Sequence, residues 1–345
     1  MQTLTQILDA NNPKDIDLAV SLLKQDKIVA LPTETVYGLA ANALSVPAVN
    51  KIFAAKNRPT NNPLIWHVHD QEAAKNLLNW DSFSPDIQKR FSLLAKTYWP
   101  GPLTIIASAR PDLIKYTNNL STIAVRIPRN NITQKILKLL NTPLVMPSAN
   151  ISTRPSPTLG SHVLKTLENR IDAILDAGSC DVGIESSVIR IDQKDLKILR
   201  PGIISAEEIS YILNEPVITN LNNFNTIESP GLGFKHYAPE VQNILLISRE
   251  KINYYWPTKA SIICRREDLK FFDLKTRPKT ALTFILPDNP EYYARELYNA
   301  LYSAENNAQE NLIIIDLPQE QAWNAIRDRL ERSAGIKQLL SDQKH

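Results

Sequence analysis

The sequence predicts an α/β protein built as two units, and three observations carry that prediction. Helical periodicities alternate with short apolar runs up to about residue 215, the alternation stops over 215–239, and a second one resumes beyond it. A chain of 345 residues also exceeds the roughly 250–300 residues at which single cores stop growing. The expected division is 1–215, a linker over 216–240, and a second domain over 241–345.

In chain order, Asn12 is suited to cap a helix with Pro13 in its first turn and Ile16, Ala19, Val20 and Leu23 at helical spacing, and the run over 28–31 reads as a strand. Further helices are expected over 47–56, 85–96, 132–140, 158–167 and 206–213, and strands over 64–68, 103–107, 123–127, 144–146, 187–191 and 198–199. The linker EPVITNLNNFNTIESPGLGFKHYAP is rich in Asn, Pro and Gly, yet it keeps Phe224, Phe234, His236 and Tyr237, which a plain spacer does not need. Beyond it NILLIS, SIICR, LTFIL and LIIID alternate with helical segments over 290–303 and 320–332, the pattern of a small α/β domain with a mostly parallel sheet.

Composition narrows the function classes. With 43% hydrophobic and 22% charged residues the chain is an ordinary soluble globular one, and a net charge of +3 makes any polyanion site a local one. The two cysteines, Cys180 and Cys264, lie far apart without CxxC spacing, which excludes a disulfide framework or a cysteine-based zinc site and fits a reducing compartment. No secretory pattern opens the chain and no apolar run approaches membrane-spanning length, so a cytoplasmic protein with no membrane partner is expected. Only 9 glycines occur, well below the usual share of about 7% of residues, and most fall in loop-like stretches, none of which is a GxxxxGK[ST] or GxGxxG phosphate turn.

Those loops hold the candidate chemistry. KNRPTNNPLIWHV sets Lys56 and Arg58 ahead of an apolar strand, with Pro59 ending the preceding helix; an ammonium and a planar guanidinium suit a triphosphate and its leaving pyrophosphate. MPSANISTRPSPT places Ser148 and Asn150 after a short strand, where hydroxyl and amide reach phosphate or carboxylate oxygens. Either cluster alone is equally well read as turn chemistry. TIAVRIPR buries Arg126 in an apolar strand, which calls for an anionic partner, either a structural carboxylate or a ligand. GIESSVIRI adds Glu185, Ser186 and Ser187 at another strand, and LRPG adds Arg200. His67 and His69 alternate and so would share a face, but no third ligand stands near them, and a pocket or hydrogen-bonded histidine is expected in place of a protein-held zinc. No GxSxG surrounds a serine.

Taken together and in order, PTETVYGLA, KNRPTNNPLIWHV, WPGPLTII, AVRIP, PSANIS, ESSVIRI, ILRPG and SPGLGFKHYAP closely resemble the two-domain form of the L-threonylcarbamoyl-adenylate synthase family. The resemblance covers essentially the whole chain, with the last third matched by pattern more than by motif. It implies an N-terminal YrdC-like twisted mixed sheet with flanking helices and a small C-terminal Rossmann-like α/β domain. It also implies the reaction of L-threonine, bicarbonate and ATP to threonylcarbamoyl-AMP and pyrophosphate, with Mg²⁺ carried by the ATP phosphates. The product would pass to transferase proteins that modify tRNA, so tRNA is an indirect partner.

By the same resemblance, Thr35, His67, Arg126, Ser186 and the backbone at Met146 would hold threonine. Lys56 and Arg58 would form a basic pair, and with Asn62, Thr122, Ser148, Asn150, Ser156, Arg200 and Tyr237 they would line the ATP site. Lys56, Arg58, Ser148 and Asn150 are the expected catalytic set. Ser187 stands where many relatives have Thr, and GLGFKHYAP varies the usual run before HYAP while Lys235 keeps its charge. Gly231 and Gly233 would hinge a lid that folds His236 and Tyr237 over the adenylate; the alternative is a linker that packs its aromatics between domains. Two other classes are considered: a hydrogenase-maturation carbamoyl-adenylate enzyme, which has a longer chain with zinc fingers, and a non-catalytic RNA-binding module, which has no need of hydroxyls at strand ends.

Overall fold

The first helix starts as its sequence requires. The Asn12 side chain accepts from the Lys14 N–H, Pro13 takes the first position, and Ile16, Ala19, Val20 and Leu23 are buried. The computed structural model describes residues 4–219, 236–254, 260–272, 282–307 and 310–334. Its fold is mixed α/β, and the chain divides into two compact units: 1–152 with 157–181 and 185–232, and 153–156 with 182–184 and 233–345.

The first unit runs β1 (Gln6–Asp9), α1 (Pro13–Lys24), β2 (Val29–Leu31), β3 (Gly38–Asn42), α2 (Val46–Lys56), β4 (Ile65–His67), α3 (Gln71–Lys75), α4 (Pro85–Tyr98), β5 (Leu103–Ser108), β6 (Thr122–Arg126), α5 (Asn131–Leu140), β7 (Leu144–Val145), α6 (Gly160–Leu167), β8 (Ala173–Asp176), β9 (Ser187–Ile191), β10 (Leu196–Arg200) and α7 (Ala206–Leu213). Among the described residues its strands form one ten-stranded mixed sheet in the order β1-β8-β2-β3-β7-β4-β6-β5-β9-β10.

Side chains alternate across this sheet, and the alternation decides where the site lies. Ala30, Leu39, Trp66, Ile105, Val125, Val145 and Ile189 join one core, together with residues of α2 and α4. On the other face Val29, Leu31, Ala40, Leu144 and Ala173 pack with α1 and α5. Further along that second face Ile65, Ile106, Ala124, Val188 and Leu199 form a cluster made of strand residues alone. Two residues on from Ile65 and Ala124 come His67 and Arg126, and two back from Ile106 and Val188 come Thr104 and Ser186. Period two therefore brings four polar side chains to the face that the strand-only cluster floors.

Several elements differ from the sequence expectation. The helix before Arg58 ends at Lys56 because Asn57 turns left-handed at φ 50°, and Pro59 only follows. β1, β3, β8 and α3 were not expected. β3 is GLAAN, with neither β-branched nor aromatic residues, and it succeeds as a strand by close approach: a Cβ on Gly38 would sit 3.0 Å from Met146 Cε. His69 lies beyond the end of β4, with Nε2 3.2 Å from Asp70 Oδ2, so the two histidines do not share a strand face.

The second unit contains β11 (Asn243–Ile247), β12 (Ala260–Arg265), β13 (Leu282–Leu286), α8 (Pro290–Asn306), β14 (Asn311–Ile315) and α9 (Asn324–Ala334). Its described strands make a parallel sheet in the order β11-β14-β12-β13, with register pairs such as Leu245↔Ile313 and Ile262↔Ile313 inside a core of Leu245, Ile247, Ile262 and Ile315. α8 buries Tyr293, Leu297, Tyr298 and Leu301. No helix among the described residues is long and apolar enough to cross a membrane.

Candidate active site

Lys56 joins two of the predicted clusters. It is the last residue of α2 and 1% exposed, and its ammonium donates to the carbonyls of Ser148 and Asn150, each at 2.5 Å. The Ser152 N–H in turn donates to the Lys56 carbonyl at 2.8 Å. Burial first, and the nearby Arg58 charge second, push the Lys56 ammonium well below its ordinary range, while carbonyl acceptors oppose this by favouring the charged form. Arg58 is also buried and donates to the carbonyls of Asn62 at 3.4 Å and Pro63 at 3.0 Å. The amide oxygen of Asn62 is buried without a hydrogen-bond partner among the described residues. Ser148 is half-buried, in an isolated bridge with Gly38, and Asn150 is buried.

His67 and Arg126 are register partners on β4 and β6. Burial, then the Arg126 charge, pull the imidazole down to about 3, so it is neutral near pH 7. Its Nδ1 lies 3.1 Å from the Ile65 carbonyl. In a neutral ring that contact requires the proton on Nδ1, which leaves Nε2 as an acceptor. Arg126 has the protein carboxylate that its burial demanded: Nη2 lies 2.8 Å from Glu34 Oε1 and donates to Thr35 Oγ1 at 3.0 Å, while Nε donates to the Gly101 carbonyl at 3.2 Å. Nη1 makes no hydrogen bond among the described residues, so one edge of the guanidinium is uncommitted. The Met146 N–H donates to the Ile65 carbonyl at 3.1 Å, which fixes the backbone beside His67's strand.

Ser186 and Arg200 are also brought together. A bulge between Ile198 and Arg200 shifts the β9/β10 register so that Arg200 pairs with Val188, a residue of the floored face. The bulge thereby re-aims a side chain that strict alternation would send to the opposite face. Arg200 donates from Nη2 to Ser186 Oγ at 3.2 Å and from Nε to the Ser186 carbonyl at 3.1 Å, and Ser186 Oγ lies 2.7 Å from Thr104 Oγ1. Gly202 lets this strand end press in, since a Cβ there would lie 2.3 Å from Ser187 N. Ser187 itself spans the turn, donating to the Ile204 carbonyl at 2.7 Å and accepting from its N–H at 3.1 Å.

The remaining predicted residues lie elsewhere. Thr122 opens β6 and lines a small, mainly apolar cavity of about 20 Å³ with Trp66 and Tyr116. Ser156 and Tyr237 belong to the second unit, where Tyr237 is 1% exposed with its ring 5.8 Å from that of Tyr298 and under the Arg329 guanidinium at 5.4 Å. Gly231 and Gly233, the expected hinge, lie outside the described residues, as does Phe234. Two residues were missed. Thr104 shows in sequence only as a polar residue in the apolar run LTIIAS, whereas Glu34 stands beside Thr35 and supplies the carboxylate that a buried Arg126 demanded.

The comparisons with known proteins bear on this geometry. Residues 21–202 match the family model described as telomere recombination, which covers YrdC domains, and residues 204–335 match the C-terminal domain of threonylcarbamoyl-AMP synthase. A Pyrococcus abyssi protein named threonylcarbamoyl-AMP synthase is 34% identical, covering 93% of this chain and 94% of its own. A Bacillus subtilis protein of the same name is 32% identical over 96% of both. The crystal structure of P. abyssi Sua5 complexed with L-threonine superposes with a TM-score of 0.82 at 29% identity, covering 96% of this chain and 98% of that one. The chain belongs to the threonylcarbamoyl-AMP synthase family and carries both the YrdC-type and the C-terminal domain, and the enzyme reading of the sequence stands over the binding-module one.

Proposed function

We propose that this chain makes L-threonylcarbamoyl-AMP and pyrophosphate from L-threonine, bicarbonate and ATP, and hands the adenylate to transferase proteins for tRNA modification. The observation that carries the reading is the β4/β6 register, which sets a neutral acceptor, His67, beside a guanidinium with a free edge, Arg126. Arg126 Nη1 takes the threonine carboxylate, while His67 Nε2, the Met146 carbonyl, Thr35 and Ser186 take its hydroxyl and ammonium. Lys56 draws the 148–150 loop over the nucleotide, so that Ser148 and Asn150 with Arg58, Asn62 and Arg200 surround the phosphates, while Thr122 is assigned to the ATP site from its motif alone. Ser156 and Tyr237 are assigned to ATP from their motifs alone.

Loss of water joins the threonine amine to bicarbonate as a carbamate; its oxygen then attacks the α-phosphorus and pyrophosphate leaves. No side chain needs to form a bond, so alignment and charge offset carry the rate. Mg²⁺ would arrive on the ATP phosphates, beside the hard oxygens of Ser148 and Asn150, and would supply charge neutralisation there. Pyrophosphate release that requires threonine and bicarbonate together is the expected result. Release independent of either substrate would defeat the reading.

A further inference from the structure

We propose that Glu34 sets the charge of the amino-acid subsite, admitting a zwitterion and turning away free oxyanions. The inference deepens the reading above and rests on Arg126 as the carboxylate-binding group.

A pocket that takes ATP and bicarbonate and releases pyrophosphate is rich in competing anions. A bare, buried guanidinium among them would bind any of these oxyanions. Arg126 is not bare. Glu34 is 2% exposed, its Oε1 lies 2.8 Å from Arg126 Nη2, and its Oε2 accepts the Arg129 N–H at 3.0 Å. That main-chain anchor keeps the carboxylate from swinging away.

The contact through Oε1 is an ion pair without hydrogen-bond alignment, so this oxygen keeps its lone pairs for another donor. The pair as a whole is neutral. It combines a free Nη1 edge with a buried anionic oxygen beside Nη2 that lacks a hydrogen-bond partner among the described residues, a charge pattern that suits an α-amino acid carrying both charges. A phosphate or bicarbonate meets the same Nη1 edge but is repelled by Glu34 and brings no ammonium to offset that repulsion. Specificity here comes from a repulsive element as much as an attractive one.

The test is calorimetric titration of the full-length chain with L-threonine, with and without a large excess of inorganic phosphate at constant ionic strength. In the wild type, threonine affinity is expected to be the same with phosphate present. In Glu34→Gln, which keeps the shape and loses the charge, phosphate should weaken apparent threonine affinity by about tenfold or more. Glu34→Asp retains the charge and should stay insensitive, and Glu34→Ala, which removes the charge by a second route, should show the same phosphate sensitivity if Glu34→Gln does not fold. Phosphate competition in the wild type or in Glu34→Asp, or a folded Glu34→Gln or Glu34→Ala that binds threonine and ignores phosphate, overturns the proposal. A wild-type chain that binds no threonine at all overturns the underlying assignment of Arg126, and that is seen before any variant is made.

Discussion

Each unit buries cations, and the two treat them differently. In the second unit Arg265 is 2% exposed at the end of β12, donating to Asp268 through Nε at 3.2 Å and Nη2 at 2.8 Å, with Nη1 2.7 Å from Glu267. Two carboxylates from the next turn cancel its charge. In the first unit two main-chain carbonyls hold the Lys56 ammonium, which satisfies hydrogen bonds without cancelling charge, and Arg58 also donates to the carbonyls of Asn62 and Pro63. A buried cation saturated by local carboxylates fixes structure; one cradled by loop carbonyls keeps its field for a ligand. Arg126 stands between the two, with one carboxylate and one free edge.

The largest effect expected from this contrast lies in the second unit. Arg265→Ala strips buried Asp268 of its nearest cation, leaving it the residue 265 N–H and Arg249 at 3.7 Å, and should cost about 3–5 kcal/mol of that unit's stability, read by denaturant titration and by loss of hydrogen-exchange protection over 260–265. Replacing Arg265 and Asp268 together with Met and Leu should recover most of that loss. If the double variant is as unstable as the single one, Arg265 is more than a neutralised strut.

Next in size is Arg58→Ala. The stability change should be small, while pyrophosphate release should lose roughly 2–4 kcal/mol of transition-state stabilisation, measured as kcat/KM for ATP. A folded variant with unchanged turnover would remove the functional half of the comparison.

Arg126→Lys should be milder and selective. A lysine can pair with Glu34 but cannot also offer a planar second edge, so the KM for threonine should rise about tenfold more than that for ATP. Equal changes in both would move Arg126 to the structural class of Arg265.

How much of this was legible follows from the reach of each signal. Caps and periodicities are local, so α1 with its Asn12 cap, β9 and α7 could be read directly from sequence. β1 was missed because Ile7 is exposed on an edge strand and leaves no alternation, and β3 because Gly and Ala carry no strand preference until Met146 packs on them. The site residues were recognisable by type and motif, but their pairings were not. Lys56 reaches carbonyls 92 and 94 residues away, and a carbonyl leaves no mark in a sequence. The β10 bulge that turns Arg200 toward Ser186 is likewise a matter of register, which residue types alone do not encode.

The smallest effect expected is a pH dependence, and it tests whether the neutral acceptor beside Arg126 exists. His67 is a base whose folded value, about 3, lies below its ordinary one of about 6.5, with burial the main cause and the Arg126 charge the second. The unfolded chain therefore binds the extra proton across that window. Stability from neutral His67 is fully present above about pH 6.5 and is lost as the pH falls toward 3. The contribution has a ceiling of one proton, about 1.4 kcal/mol per pH unit, and carboxylates titrate in the lower part of the same range. The informative quantity is thus the difference in slope between the wild type and His67→Gln, taken between pH 5 and 6.5, where carboxylates contribute least. A shallower slope in the variant supports a neutral His67 with Nε2 open to the amino acid. Superimposable slopes would mean that the imidazole carries its proton in the folded state as readily as in the unfolded one, and the β4/β6 register would then set two cations side by side in place of a cation and an acceptor.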